Sequence, residues 1–135
     1  MTPKELEKLV DLVGLKTLVL GGISVNDLLT DTREVNFETE DDRVAFYNEY
    51  GFVDSQNDLP AIIRTNGTKI WYKNGKIHRE NDKPAAILIN GTKVWYKNGE
   101  IHRDGNKPAL ISANGTKEWY KNGKIIKRVP AVGFY

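Results

Sequence analysis

Hydrophobic and polar residues follow two rhythms along this chain. Up to residue 57 the apolar positions fall at helical spacing or in short unbroken runs. From residue 58 onward they come in strand-length runs, broken again and again by Asn-Gly pairs. In the first part, Thr2-Pro3-Lys4-Glu5 is a capping box with proline at the first helical position. Leu6, Leu9, Val10 and Val13 follow on one helical face, and Gly14 stops the helix. Leu15 to Leu20 reads as a buried strand ended by Gly21-Gly22, and Ser24 caps a short helical turn through Leu29. Arg33 to Phe37 alternates weakly, as a second strand would. Thr39 then caps a predicted helix from Glu40 to Tyr50, with Asp41 and Asp42 in its first turn and a stripe of Val44, Tyr47 and Tyr50. Gly51 is its expected C′ residue, with Phe52 closing over it.

The second part repeats with a period of 24 residues: 58–81, 82–105 and 106–129, with a truncated start at 130–135. The string NGTK-x-WYKNG occurs three times unchanged. Asn66-Gly67 and Asn74-Gly75, with their counterparts, read as two-residue type I′ turns, because both positions of such a turn need positive φ. Each unit is therefore predicted as strand, turn, strand, turn, short strand and a polar proline-containing link. The predicted fold class is α+β: a small helical N-terminal cap (1–57) on an antiparallel β-meander or repeat sheet (58–135).

Two-residue turns fix the register, and the register fixes the faces. It sets Ile63 against Ile70, Ile62 against Trp71 and Ala61 against Tyr72, then Tyr72 against Ile77 and Trp71 against His78. Ala61, Ile63, Ile70, Tyr72 and Ile77 form the expected core face. The opposite face carries Ile62, Arg64, Lys69, Trp71, Lys73, Lys76 and His78. Trp95 with Lys93, Lys97 and His102, and Trp119 with Lys117, Lys121 and Lys124, repeat that theme. Tryptophan among lysines can stack bases or grip an anionic partner. It can equally pack on lysine stems and on the neighbouring unit, since a repeat buries its apolar surface only by stacking. A bulge at any Asn-Gly would exchange the two faces.

Charge sharpens the division. Residues 1–57 hold five basic groups against twelve acidic ones, and residues 58–135 hold fifteen against six. The halves either attract and pack together or present a basic surface to an anionic partner. The acidic half is expected to cap the sheet edge; the alternative is that it is itself the effector, mimicking nucleic acid. The C-terminal Pro130 to Tyr135 either folds back as a cap or mediates self-association.

Composition limits the chemistry. Without cysteine there is no disulfide framework, thiolate zinc cluster or thiol nucleophile. The apolar stretch from Leu9 to Val25 is interrupted by Asp11, Lys16 and glycines and does not suit a membrane span. The opening residues lack signal-peptide order, which makes a cytoplasmic location the expectation. His78 and His102 face tryptophans and have no nucleophile at recognisable spacing. Glu38, Glu40, Asp41 and Asp42 lack the spacing and central glycine of a calcium loop. Gly21-Gly22 has no following Lys-Ser or Lys-Thr, as a phosphate loop requires. No enzyme, cofactor or metal is expected.

The hairpin repeat with its aromatic-x-x-Asn-Gly-Lys turn resembles variant membrane-occupation-and-recognition-nexus (MORN) repeats. The longer string WYKNGKIHREN-x-KPA is similar to repeats of phage and large DNA virus proteins. It covers residues 58–129. That resemblance implies a curved antiparallel sheet serving as scaffold or binding surface, a viral source and a host protein as target. The expected function is a non-enzymatic protein-binding module that occludes a host or viral protein, as an inhibitor or a virion component. The alternative is nucleic-acid or nucleotide binding through the Trp/Lys face. The candidate contact residues are Trp71, Trp95, Trp119, Lys69, Lys73, Lys93, Lys97, Lys117, Lys121, Arg64, His78 and His102.

Overall fold

A computed structural model describes residues 36–38 and 43–132. Its strands, in chain order, begin with β1 (Asn36–Glu38) and β2 (Arg43–Ala45). The first repeat supplies β3 (Ile62–Arg64), β4 (Lys69–Ile70), β5 (Tyr72–Lys73) and β6 (Lys76–Ile77). The second supplies β7 (Ala86–Ile87), β8 (Lys93–Val94), β9 (Tyr96–Lys97) and β10 (Glu100–Ile101). The third supplies β11 (Leu110–Ile111), β12 (Lys117–Lys121) and β13 (Lys124–Val129). One nine-stranded antiparallel sheet runs β1-β2-β3-β4-β7-β8-β11-β12-β13, and β5-β6 and β9-β10 are separate hairpins beside it.

The described residues contain no helix, which corrects the α+β assignment to a β-rich antiparallel sheet. The predicted helix from Glu40 to Tyr50 is overturned where it is described. Arg43–Ala45 is a strand between β1 and β3, Tyr47 bridges Val53, and residues 49–51 turn. The physical reason is the edge of the repeat array. Each repeat's first strand pairs with the second strand of the unit before it, and β3 would otherwise lie open. Burial of Val44, Ala45 and Phe46 in the sheet outweighs the helical period of Val44, Tyr47 and Tyr50. The strand expected at Arg33 to Phe37 is met in part by β1. The helices and strand expected before residue 33 lie outside the described residues. Among the described residues no helix is long and apolar enough to cross a membrane.

Residues 43–54 form a leading unit of the same design. Phe46 donates its N–H to Ala61 O as Trp71 does to Ala85 O, and Asp54 donates to Phe46 O as His78 does to Trp71 O. The Tyr47–Val53 bridge takes the place of the Tyr72–Ile77 pair. At the other end, Ala131 donates to Thr116 Oγ1, as Ala113 does to Thr92 Oγ1.

The two Asn-Gly pairs of a unit make different turns. Asn74 (φ 48°) and Gly75 (φ 81°) form the expected type I′ turn, and Tyr72 faces Ile77. At the first pair only Gly67 has positive φ, at 96°. Its N–H reaches Arg64 O, Arg64 N–H reaches Thr68 O, and Asn66 Oδ1 accepts the Thr68 N–H. This is a three-residue loop, a type I turn followed by a glycine bulge. The register therefore shifts by one: Ile62 faces Ile70 and Ile63 faces Lys69, in place of the predicted Ile63–Ile70 pairing. The core row runs Ala45, Ile62, Ile70, Ala86, Val94 and Leu110, ending on Glu118 and Arg128.

Candidate functional site

Trp71 and Trp95 sit at the joints between the main sheet and the side hairpins, and Trp119 lies within β12 of the main sheet. Trp71 is 5% exposed and Trp95 7%, whereas Trp119 is half-buried. Each indole N–H reaches back thirteen residues to a backbone carbonyl, of Asp58, Asp82 and Asn106 in turn, at 2.9–3.1 Å. A cation covers each ring: Arg79 at 3.7 Å from the Trp71 centroid, Arg103 at 3.9 Å from Trp95 and Lys127 at 4.7 Å from Trp119. Trp71 and Trp95 thus have little open surface on which a base could stack.

The two arginines are themselves held. Arg79 donates from Nε and Nη2 to the two carboxylate oxygens of Asp58, and from Nη1 to Pro84 O. Lys83 adds a bond of 2.6 Å to Asp58 Oδ2. Arg103, Asp82, Lys107 and Pro108 repeat the arrangement one unit on. The Arg79 guanidinium holds the Asp58 carboxyl down at about 2, with Lys83 adding to the effect. Arg103 and Lys107 do the same to Asp82. These carboxylates are not among the candidate residues read from the sequence. The signal was present within the repeat: where Asp58 and Asp82 become Asn106, Arg79 and Arg103 become Lys127.

The histidines join one unit to the next. His78 Nδ1 accepts the Asn98 N–H at 3.1 Å, and His102 Nδ1 accepts the Asn122 N–H at 3.1 Å. A backbone N–H only donates, so Nδ1 is the bare nitrogen and Nε2 carries the hydrogen. That Nε2–H points at Glu80 (3.0 Å) in His78 and at Asp104 (2.7 Å) in His102. Lys73 pairs with Glu80 at 3.1 Å and Lys97 with Asp104 at 3.6 Å. Glu80 is lowered chiefly by the Lys73 bond and Asp104 chiefly by the His102 bond. Grooves of about 440 and 460 Å³ lie along these side hairpins, and their walls include the paired His78 and Glu80, His102 and Asp104, and Arg103 and Asp82.

The remaining candidates part company. The register shift puts Arg64 on the opposite face from Lys69, with Arg43 as its cross-strand partner. Lys121 is exposed at the end of β12, opposite Lys124. Lys69, Lys93 and Lys117 line up across the strands, each flanked by an aliphatic residue: Ile63, Lys69, Ile87, Lys93, Ile111, Lys117 and Val129 are successive cross-strand partners. Among the described residues none of these three lysines has an ionic partner. Among them, too, no three His, Asp or Glu side chains converge to hold a metal ion. Comparison with known protein families, curated proteins and solved structures finds no match for this chain.

Proposed function

We propose that this chain is a non-catalytic protein-binding module that acts by occluding a site on its partner. The observation that supports it is the row of unpaired lysines interleaved with isoleucines on one face of the sheet. The sheet is internally tied by the Trp–Arg–Asp clusters and the histidine links, so little ordering entropy stands against binding. Aliphatic side chains between the cations suit a protein surface better than a polyanion, whose contacts are phosphates and bases. The nucleic-acid alternative relied on tryptophan stacking, and Trp71 and Trp95 lie under arginines. A phage or viral source, with a host protein as target, belongs to this proposal on the resemblance of the WYKNGKIHREN repeat alone.

The test is an affinity pull-down from host lysate, with and without nuclease, read by mass spectrometry. One dominant protein retained after nuclease treatment is the expected result. Loss of all bound material on nuclease treatment would overturn the proposal in favour of nucleic acid.

A further inference from the structure

Resting on the binding-module reading, we propose that the row Lys69, Lys93 and Lys117 receives an acidic amphipathic helix of the partner, laid across the strands. The row is set by backbone pairing: Lys69 faces Ile87, Ile87 faces Lys93, Lys93 faces Ile111 and Ile111 faces Lys117. Directly paired residues share a face of the sheet. Lys69 is half-buried and Lys93 and Lys117 are exposed, while Ile87 and Ile111 are half-exposed between them. A row of cations with apolar residues between them calls for a partner that alternates the same way.

Spacing selects the partner's secondary structure. Neighbouring strands lie about 4.8 Å apart, so lysines two strands apart are separated by about 9.6 Å. One heptad of α-helix rises about 10.5 Å and returns to nearly the same face. Carboxylates at i, i+7 and i+14 therefore meet the three lysines. Apolar residues at i+3 or i+4, about 4.5–6 Å along the axis, meet Ile87, and their counterparts one heptad on meet Ile111. An extended segment matches less well: three residues span about 10 Å, but positions i and i+3 point to opposite sides. A sheet twists across its strands, and the long lysine stems take up the rotation between successive units.

The test uses the full chain and a fluorescein-labelled synthetic helical peptide. The peptide carries glutamate at three successive heptad positions and leucine midway between them. Its control is a scrambled peptide of identical composition, and binding is read by anisotropy. The wild type is expected to bind the heptad peptide, and Lys69→Gln with Lys93→Gln and Lys117→Gln to weaken it roughly tenfold. Ile87→Ser with Ile111→Ser is expected to weaken it as well, because the apolar half of the match is lost. Far-ultraviolet circular dichroism and tryptophan emission confirm that each variant is folded. Equal binding of heptad and scrambled peptides would overturn the proposal, as would unchanged binding by the folded lysine variant. Tighter binding of a single-stranded oligonucleotide of equal charge would also overturn it. A lysate protein captured equally by wild type and lysine variant would sink this surface while leaving the binding-module reading intact.

Discussion

The imidazole of His78 accepts the backbone N–H of Asn98, twenty residues along and one repeat away, at 3.1 Å. In the leading unit Asp54 does the same for Asn74, at 2.8 Å, so the position requires an acceptor and not a ring. His78→Ala is expected to cost about 1 kcal/mol by stripping that N–H of its partner. His78→Asp is expected to recover most of the loss, because a carboxylate oxygen can take the place of Nδ1. Urea unfolding midpoints of the two variants check this; equal losses would mean that the ring's packing, and not the acceptor, matters.

Gly67 and Gly91 occupy the same bulge position in successive units, with φ of 96° and 91°. A Cβ at Gly91 would meet nothing within 4 Å, whereas one at Gly67 would come within 2.9 Å of Ile89 Cδ1. Gly91→Ala is thus expected to cost only backbone strain, about 1–2 kcal/mol. Gly67→Ala is expected to cost more, and Ile89→Ala in the same chain to return the excess. Thermal or urea melts of the three variants read the difference directly.

The repeat and its second turn were legible because they are local, whereas the one strand expected between the two turns is divided at Trp71 into β4 and β5 and at Trp95 into β8 and β9. Asn74-Gly75 sits between Lys73 and Lys76, and a two-residue loop of this composition has one favoured form. The first Asn-Gly was not decided locally, since glycine suits both a type I′ turn and a type I turn with a bulge. Contacts from the next unit bear on that choice in the structure: Ile89 lies over Gly67, and Thr92 beside the equivalent loop receives the Ala113 N–H. The leading unit was missed because Phe46 replaces tryptophan and its turn departs from the Asn-Gly form, leaving a helical period in Val44, Tyr47 and Tyr50. What identified it as a strand is pairing with Ile62–Arg64, which lies beyond any local window. The cations expected around the tryptophans were the strand lysines, whereas the ones that cover Trp71 and Trp95 are Arg79 and Arg103, which arrive from the following link.

The two tryptophans under arginine lie deeper than the one under lysine. Trp95, under Arg103 at 3.9 Å, is buried, and Trp119, under Lys127 at 4.7 Å, is half-buried. Arg103→Lys keeps the charge but loses the fork to Asp82 and the flat stack on the ring. It is expected to cost about 1 kcal/mol and to raise acrylamide quenching of Trp95. The quenching is read in a background where Trp71 and Trp119 are phenylalanine, the residue that the leading unit carries at this place as Phe46. Unaltered quenching would show that the guanidinium does not shield the ring.

Acid should loosen the array through the same clusters. Asp58 and Asp82 are held at about 2 in the folded chain, against 3.8 for a free side chain, chiefly by Arg79 and Arg103. A carboxyl whose folded value is depressed contributes stability that is complete above the unfolded value and disappears as the pH falls through the folded one. The contribution is therefore present at neutral pH, begins to fall near 3.8 and is lost by about 2. Glu80 and Asp104, lowered chiefly by Lys73 and His102, act in the same direction. Both aspartates are partly open to solvent, so screening reduces what each contributes. Asp58→Asn with Asp82→Asn is expected to be less stable at neutral pH and to lose less on acidification, because two of the groups that take up protons are gone. Urea midpoints measured from neutral pH down to about 2 give both slopes. Parallel slopes for variant and wild type would mean that the guanidinium–carboxylate pairs do not carry the acid response.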